Sequence, residues 1–233
     1  MLDDLFELSR HLIRLLNRPY RRYFIRTVDL KGRCSIVVGK RGVGKTTTLI
    51  QHLLGADPNI ESSRETLYVP VDHFTVRRMP IYEIARDFTN QGGKRLYLDE
   101  IHKYPAWSRD LKSISDTFPE LTIVASGSSM MQIQKGSHDL SRRAVVYRVN
   151  GMSFREFLEL RLGLDFPVID MEELVSQHES IAPELVSTIN AAGTKVLGAF
   201  RDYLQFGIYP YYFEYEDRDL FRTTLEQNMH TAI

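Results

Sequence analysis

Lys45, Thr46, Asp99 and Glu100 are the residues whose types and spacing suit chemistry on a phosphate group. The first two close the string Gly39-Lys40-Arg41-Gly42-Val43-Gly44-Lys45-Thr46, which fits G-x-x-x-x-G-K-[ST] at every defined position. Its glycines permit positive φ and leave backbone N–H groups uncovered. With the positive end of a following helix, those groups form a concave anion site that suits a polyphosphate. The expected nucleotide-binding stretch is Gly39 to Thr47, with Lys45 reaching the outer phosphates and the Thr46 hydroxyl ligating a Mg2+ ion that bridges them. Further on, Asp99 is placed to hold magnesium through water, and Glu100 to activate a water that attacks the terminal phosphate. Glu100 is the residue that argues for hydrolysis. The string N-K-x-D, the usual mark of guanine specificity, is absent from the sequence, which favours ATP.

These residues need elements to hold them. Cys34 to Val38 reads as a buried strand and Thr46 to Leu54 as a helix, so the glycine loop joins the two. "TLYVPVD", "KRLYLDE", "LTIVASGSS" and "AVVYRV" read as further strands, with helices at "PIYEIARDFTN" and "AWSRDLKSISDTF". Leu96, Tyr97 and Leu98 then deliver Asp99 and Glu100 at a strand's carboxyl end, where doubly wound sheets bind ligands. The alternation predicts an α/β fold, a P-loop NTPase with a mostly parallel sheet and helices on both faces. An apolar helix over "DDLFELSRHLIRLLNR", ended by Pro19, precedes it. From Ser153 the pattern turns helical, at "SFREFLELRLG", at "MEELVSQHES" and in a longer stretch around "PELVSTINAAGTKVLGAFRDYLQF". The expected boundary lies near Asn150 and Gly151, giving a core at 1–150 and a helical segment at 151–233.

Composition narrows the class. With 43% hydrophobic and 26% charged residues the chain builds a core, and its one cysteine, Cys34, excludes an internal disulfide. No stretch has transmembrane length, and the acidic start "MLDDLFELSR" lacks the positive charge of a signal peptide. The expectation is a reduced, cytoplasmic protein with no membrane partner. The net charge of zero hides an asymmetry: residues 1–150 carry 24 Lys and Arg against 16 Asp and Glu, whereas residues 151–233 carry 6 against 14. A basic stretch from Arg10 to Arg33, including "RPYRRYFIR", suits either a solvated face or a DNA or acidic protein partner.

"GKRGVGKTTTL", "YLDEIHKYPAWSRDLKSISD", "IVASGSS", "DLSRRAVVYRVNGMSFREFLEL" and "YLQFGIYP" together resemble the AAA-type ATPases of the bacterial and archaeal group often called AAA domain 14. The segment ending in Trp107 is far more specific than the loop alone, and the likeness spans roughly residues 10 to 215. It implies ATP binding and hydrolysis, with a C-terminal domain of which only the start is read here; the sequence sets no oligomeric state, and a homo-oligomer is one option. In the family an arginine follows a glycine just before the "YRV"-like strand. That arginine corresponds to Arg143, while Arg142 takes the glycine's place, so both are candidates for an arginine finger acting in the same chain or across an interface. Gly151 stands where the family usually has proline. The family's adenine contacts point to Tyr20–Leu30.

Of the small residues in "ASGSS", Ser128 is the first candidate for sensing the γ-phosphate and Ser126 the second. Three rival readings share the loop. D-E-x-H at Asp99–His102 suggests a helicase, but too few residues follow 150 for its second nucleotide-binding domain, which leaves His102 as a surface or interface histidine. A phosphotransferase needs an acceptor site and a lid arginine that are not legible. A slow nucleotide-operated switch, read by DNA or a protein, uses the same residues as a fast ATPase. The aromatics of "YLQFGIYPYYFEY" are expected to pack against the C-terminal domain or a neighbouring subunit.

Overall fold

Cys34–Val38 is a run of five buried positions with no face left for water, which suits an interior strand of a sheet covered on both sides. In the computed structural model, which describes residues 1–77, 79–127, 140 and 142–230 (side chains excepted at 218 and 228–230), this run is β1. It is preceded by α1 (Leu2–Leu16) and the short α2 (Tyr23–Thr27). After it come α3 (Lys45–Ala56), β2 (Thr66–Pro70), α4 (Ile81–Asn90), β3 (Arg95–Asp99), α5 (Trp107–Thr117), β4 (Thr122–Gly127) and β5 (Ala144–Arg148). The strands form one wholly parallel sheet in the order β2-β3-β4-β1-β5. Parallel neighbours need a crossover, and α3, α4 and α5 supply it. The α/β architecture is the one expected, with strand ends displaced by a residue or two where pairing stops.

Leucines, isoleucines and valines of β1 to β4 pack with Ile81, Ile84, Ala85 and Phe88 of α4 and Leu111 and Ile114 of α5. Helix α1 buries Leu2, Leu5, Phe6 and Ile13 and packs against β2. There the Ser9 hydroxyl accepts from the Tyr68 N–H at 3.1 Å, so α1 satisfies a backbone donor of this sheet-edge strand.

The chain divides into two compact units, residues 1–150 and 151–233. The second is helical: α6 (Phe154–Leu162), α7 (Met171–Ala191), α8 (Val196–Phe206) and α9 (Arg218–His230). Ser153 and Glu156 start α6 with a reciprocal capping box, and Gly163 ends it at φ 66. Here the structure corrects one expectation, the division of the helical pattern at Pro183. A break before Pro183 does not occur; α7 runs through that proline and ends at Ala191. The chain turns instead at Gly193, whose φ of 77 only glycine adopts at no cost, with Thr194 N donating to Ile189 O. The aromatics of 203–215 pack within the second unit itself. Phe206 stacks on Tyr212 at 5.4 Å, Phe213 contacts Phe157, and Phe221 of α9 meets Phe206, Tyr211, Tyr212 and Tyr215.

Candidate functional site

The glycine loop leaves β1 at its carboxyl end and enters α3 at Lys45. Gly42 and Gly44 take φ of 81 and 90, the left-handed backbone that a side chain resists. Gly39 is required for a different reason: a Cβ there would stand 2.5 Å from the Val149 carbonyl oxygen. Past Gly44, the first-turn N–H groups of α3 have no acceptor inside their own helix and carry the positive end of its dipole. Lys40 and Arg41 are exposed, Val43 is buried, and Thr46 and Thr47 are half-buried. Lys45 is 4% exposed; its Nζ donates to Lys40 O at 3.1 Å and lies 4.0 Å from Glu100 Oε1. Burial pushes the Lys45 pKa down, and the nearby Glu100 and Asp99 pull it back up.

Asp99 ends β3 and is buried. Its Oδ2 accepts from Thr46 Oγ1 at 2.7 Å and from the Tyr68 hydroxyl at 2.8 Å, while Oδ1 accepts from Ser126 Oγ. Burial and the Asp99 charge push the Tyr68 pKa far up, so this phenol remains a donor. Glu100 has φ 53 and ψ 40, the one non-glycine positive φ among the described residues. Such a backbone is costly for glutamate and is over-represented at functional sites. It re-aims the chain into the 3-10 turn Ile101–Lys103, with the Glu100 N–H donating to Ser126 Oγ at 3.1 Å. The Glu100 carboxylate then lies between Lys45 and His102, its Oε2 3.5 Å from His102 Nε2.

This donor set matches the needs of Mg2+, which keeps several waters and takes few protein ligands beside substrate phosphates. One hydroxyl (Thr46) and one carboxylate (Asp99) already stand together at the head of α3. Among the described residues no cluster of three or more His, Cys, Asp or Glu forms an all-protein metal cage.

The structure brings Lys45, Thr46, Asp99 and Glu100 together, and it separates the arginines from them. Arg143 directly precedes Ala144, which pairs with Cys34 at the start of β1, whereas the loop follows Val38 at the other end. Five residues at ~3.3 Å each set these two edges of the sheet about 16 Å apart. Arg143 instead pairs with Asp116, Nε to Oδ1 at 2.6 Å, and Arg142 beside it is exposed. Action in the same chain is therefore not what this geometry allows. Ser128 lies outside the described residues. Ser126 is fully buried, and its hydroxyl is engaged with Asp99 and the Glu100 N–H, so it holds the acidic pair instead of facing a phosphate. His102 is no surface residue: its side chain is 6% exposed, and burial pushes its pKa down. Tyr68 was not legible, because an aromatic residue inside a strand reads as core.

Residues 31–158, more than half of the chain, match the family described as AAA domain. A comparison with curated proteins finds no match. Among solved structures the chain is similar to C. elegans PCH-2, at TM-score 0.42 and 15% identity over 73% of this chain and 49% of that one. It is also similar to S. cerevisiae Hsp104 in its ADP complex, at TM-score 0.40 and 16% identity over 68% and 26% of the two chains. AMPPCP-bound DnaA from Aquifex aeolicus gives TM-score 0.40 and 14% identity over 86% and 61%. The chain thus spans under two thirds of each of these structures' own length.

Proposed function

Because this chain belongs to the AAA domain family of nucleotide-binding ATPases, we propose that residues 39–47 bind ATP with Mg2+ and that Glu100 directs its hydrolysis to ADP and phosphate. The observation that carries the reading is the convergence of loop and acidic pair, with Thr46 Oγ1 2.7 Å from Asp99 Oδ2 and Lys45 Nζ 4.0 Å from Glu100 Oε1. In this reading the loop amides and Lys45 bind the phosphates, and Thr46 and Asp99 hold the metal. A Mg2+ ion held there would supply positive charge against phosphate oxygens. Glu100, fixed by its backbone and by Ser126, orients the attacking water and takes its proton. Arg143, on the far edge of the sheet, serves a neighbouring copy's site if it acts as a finger.

The test has two arms. Nucleotide at a hundred times its Kd stabilises a fold by about 2.7 kcal/mol. Wild type should show that shift in a melting experiment with Mg-ADP, and Lys45→Ala should lose most of it. An equal shift in both refutes the loop assignment. Glu100→Gln keeps size and loses the base, so it should retain binding while hydrolysis slows by ~10²-fold or more. Wild-type turnover in that variant refutes the role of Glu100.

A further inference from the structure

We propose that Arg22 is a positioning residue of the phosphate loop, and that it ties the loop's state to the segment leading out of the first unit. The inference rests on reading 39–47 as the nucleotide cradle. In the sequence Arg22 is one basic residue in "RPYRRYFIR", yet the structure separates it from its neighbours: Arg18, Arg21 and Arg26 are exposed, whereas Arg22 is 8% exposed. Its Nη1 donates to two carbonyls at once, Val43 O at 2.8 Å and Asn150 O at 2.9 Å. The first belongs to the glycine loop. The second is the last residue of the first unit.

Both contacts have mechanical content. Val43 stands between Gly42 and Gly44, the loop's two positive-φ joints, where the backbone has the least resistance to rotation. A trans peptide is planar, with its C=O and N–H on opposite sides. Fixing the Val43 carbonyl on Arg22 therefore turns the Gly44 N–H the other way, away from the guanidinium. An oriented donor of this kind is what an anion cradle needs in advance of its ligand.

The exit segment meets the loop at its other end as well. Val149 N donates to Val38 O at 2.8 Å, and the Val149 carbonyl oxygen is what a Cβ at Gly39 would strike. Residues 149 and 150 thus back the loop near both Gly39 and Val43, with Arg22 as the link at the second place. A shift of the Val43–Gly44 peptide on phosphate binding moves one of the two acceptors of Arg22 Nη1, the other being Asn150 O.

The experiment compares wild type, Arg22→Gln, Arg22→Lys and Lys45→Ala in the full chain, using a fluorescent ADP analogue, ATPase kinetics and hydrogen exchange. Loss of a charged hydrogen-bond donor should weaken ADP binding of Arg22→Gln by about 10-fold or more, with the loss falling on KM more than on kcat. Arg22→Lys keeps the charge and loses the fork, so it should lie between the two. In wild type, ADP should slow exchange of the peptide spanning 149–152, and in Arg22→Gln at saturating ADP it should not. Wild-type affinity in Arg22→Gln overturns the positioning role, and persistent protection of 149–152 overturns the coupling. If Arg22→Gln fails to fold, Arg22→Lys decides: weaker binding at an unchanged ligand-free melting temperature supports the role, and wild-type binding overturns it. Should wild type and Lys45→Ala both ignore ADP, the cradle reading itself fails, which is a different result.

Discussion

Arg143→Ala separates a finger from a surface arginine, and the sheet geometry fixes what the experiment should show. Arg143 and the phosphate loop occupy opposite ends of neighbouring parallel strands, so in the proposed reading the arginine acts on a second molecule. Its present partner, Asp116, is exposed, its carboxyl held below the usual range by Arg143, so removing the arginine should leave the fold almost unchanged. Turnover, by contrast, should fall by ~10³ to 10⁵, the worth of a finger in phosphoryl transfer. Mixing then tests the direction of action. In an equal mixture of Arg143→Ala and Lys45→Ala subunits, a working interface joins an intact loop to an intact arginine. Random assembly through one heterologous interface makes about one quarter of the interfaces of this kind, and the mixture should recover about that share of wild-type turnover. Steady-state phosphate release across a series of mixing ratios, with each parent variant as baseline, measures it. Two results would refute the reasoning: no recovery at any ratio, or normal turnover in Arg142→Ala and Arg143→Ala taken separately and together.

Tyr68→Phe deletes only the hydroxyl that donates to Asp99 Oδ2. It should cost about 1 kcal/mol in urea unfolding and, beyond that, raise the Mg2+ concentration needed for nucleotide-induced stabilisation, as Asp99→Asn should more strongly; an unchanged Mg2+ titration contradicts the role of this contact. Burial pushes the imidazole pKa values of His52 and His102 below their ordinary 6.5. Each neutral ring therefore favours the folded state above the unfolded-state pKa, and that contribution is lost as pH falls toward the folded-state value. Denaturant midpoints should drop between about pH 7.5 and about pH 5.5, and His52→Asn should flatten the drop; a midpoint that rises on acidification would count against it.

The sequence carried the site unevenly, for physical reasons. Gly39, Gly42, Gly44, Lys45 and Thr46 are legible because backbone geometry and phosphate chemistry admit few other residue types at those places. Asp99 and Glu100 are legible because an apolar strand ends at them. What holds Asp99 was not, since Tyr68 and Ser126 arrive from other strands and register across a sheet leaves no mark on one chain segment. Arg22 was hidden for the opposite reason: its neighbours Arg18, Arg21 and Arg26 are solvated, and charge alone does not say which arginine of a cluster turns inward. The helix runs through Pro183 with Ile189 as its one buried residue, so neither the proline nor an apolar face marked its extent in the sequence.

β1 lies between β4 and β5, and both are made long after it. On the ribosome, the strand that delivers the phosphate loop therefore waits without neighbours while the chain from Val38 to Arg148 is synthesised. At ~5–20 residues per second, that wait lasts roughly 5–20 s. Even then the wall against Gly39 and the second acceptor for Arg22 come only with Val149 and Asn150. The contacts that back the glycine loop thus become available only when the last residues of the first unit have been made. If residues 39–47 bind nucleotide as proposed, a ligand that binds only the finished cradle would favour chains that have reached this point by mass action.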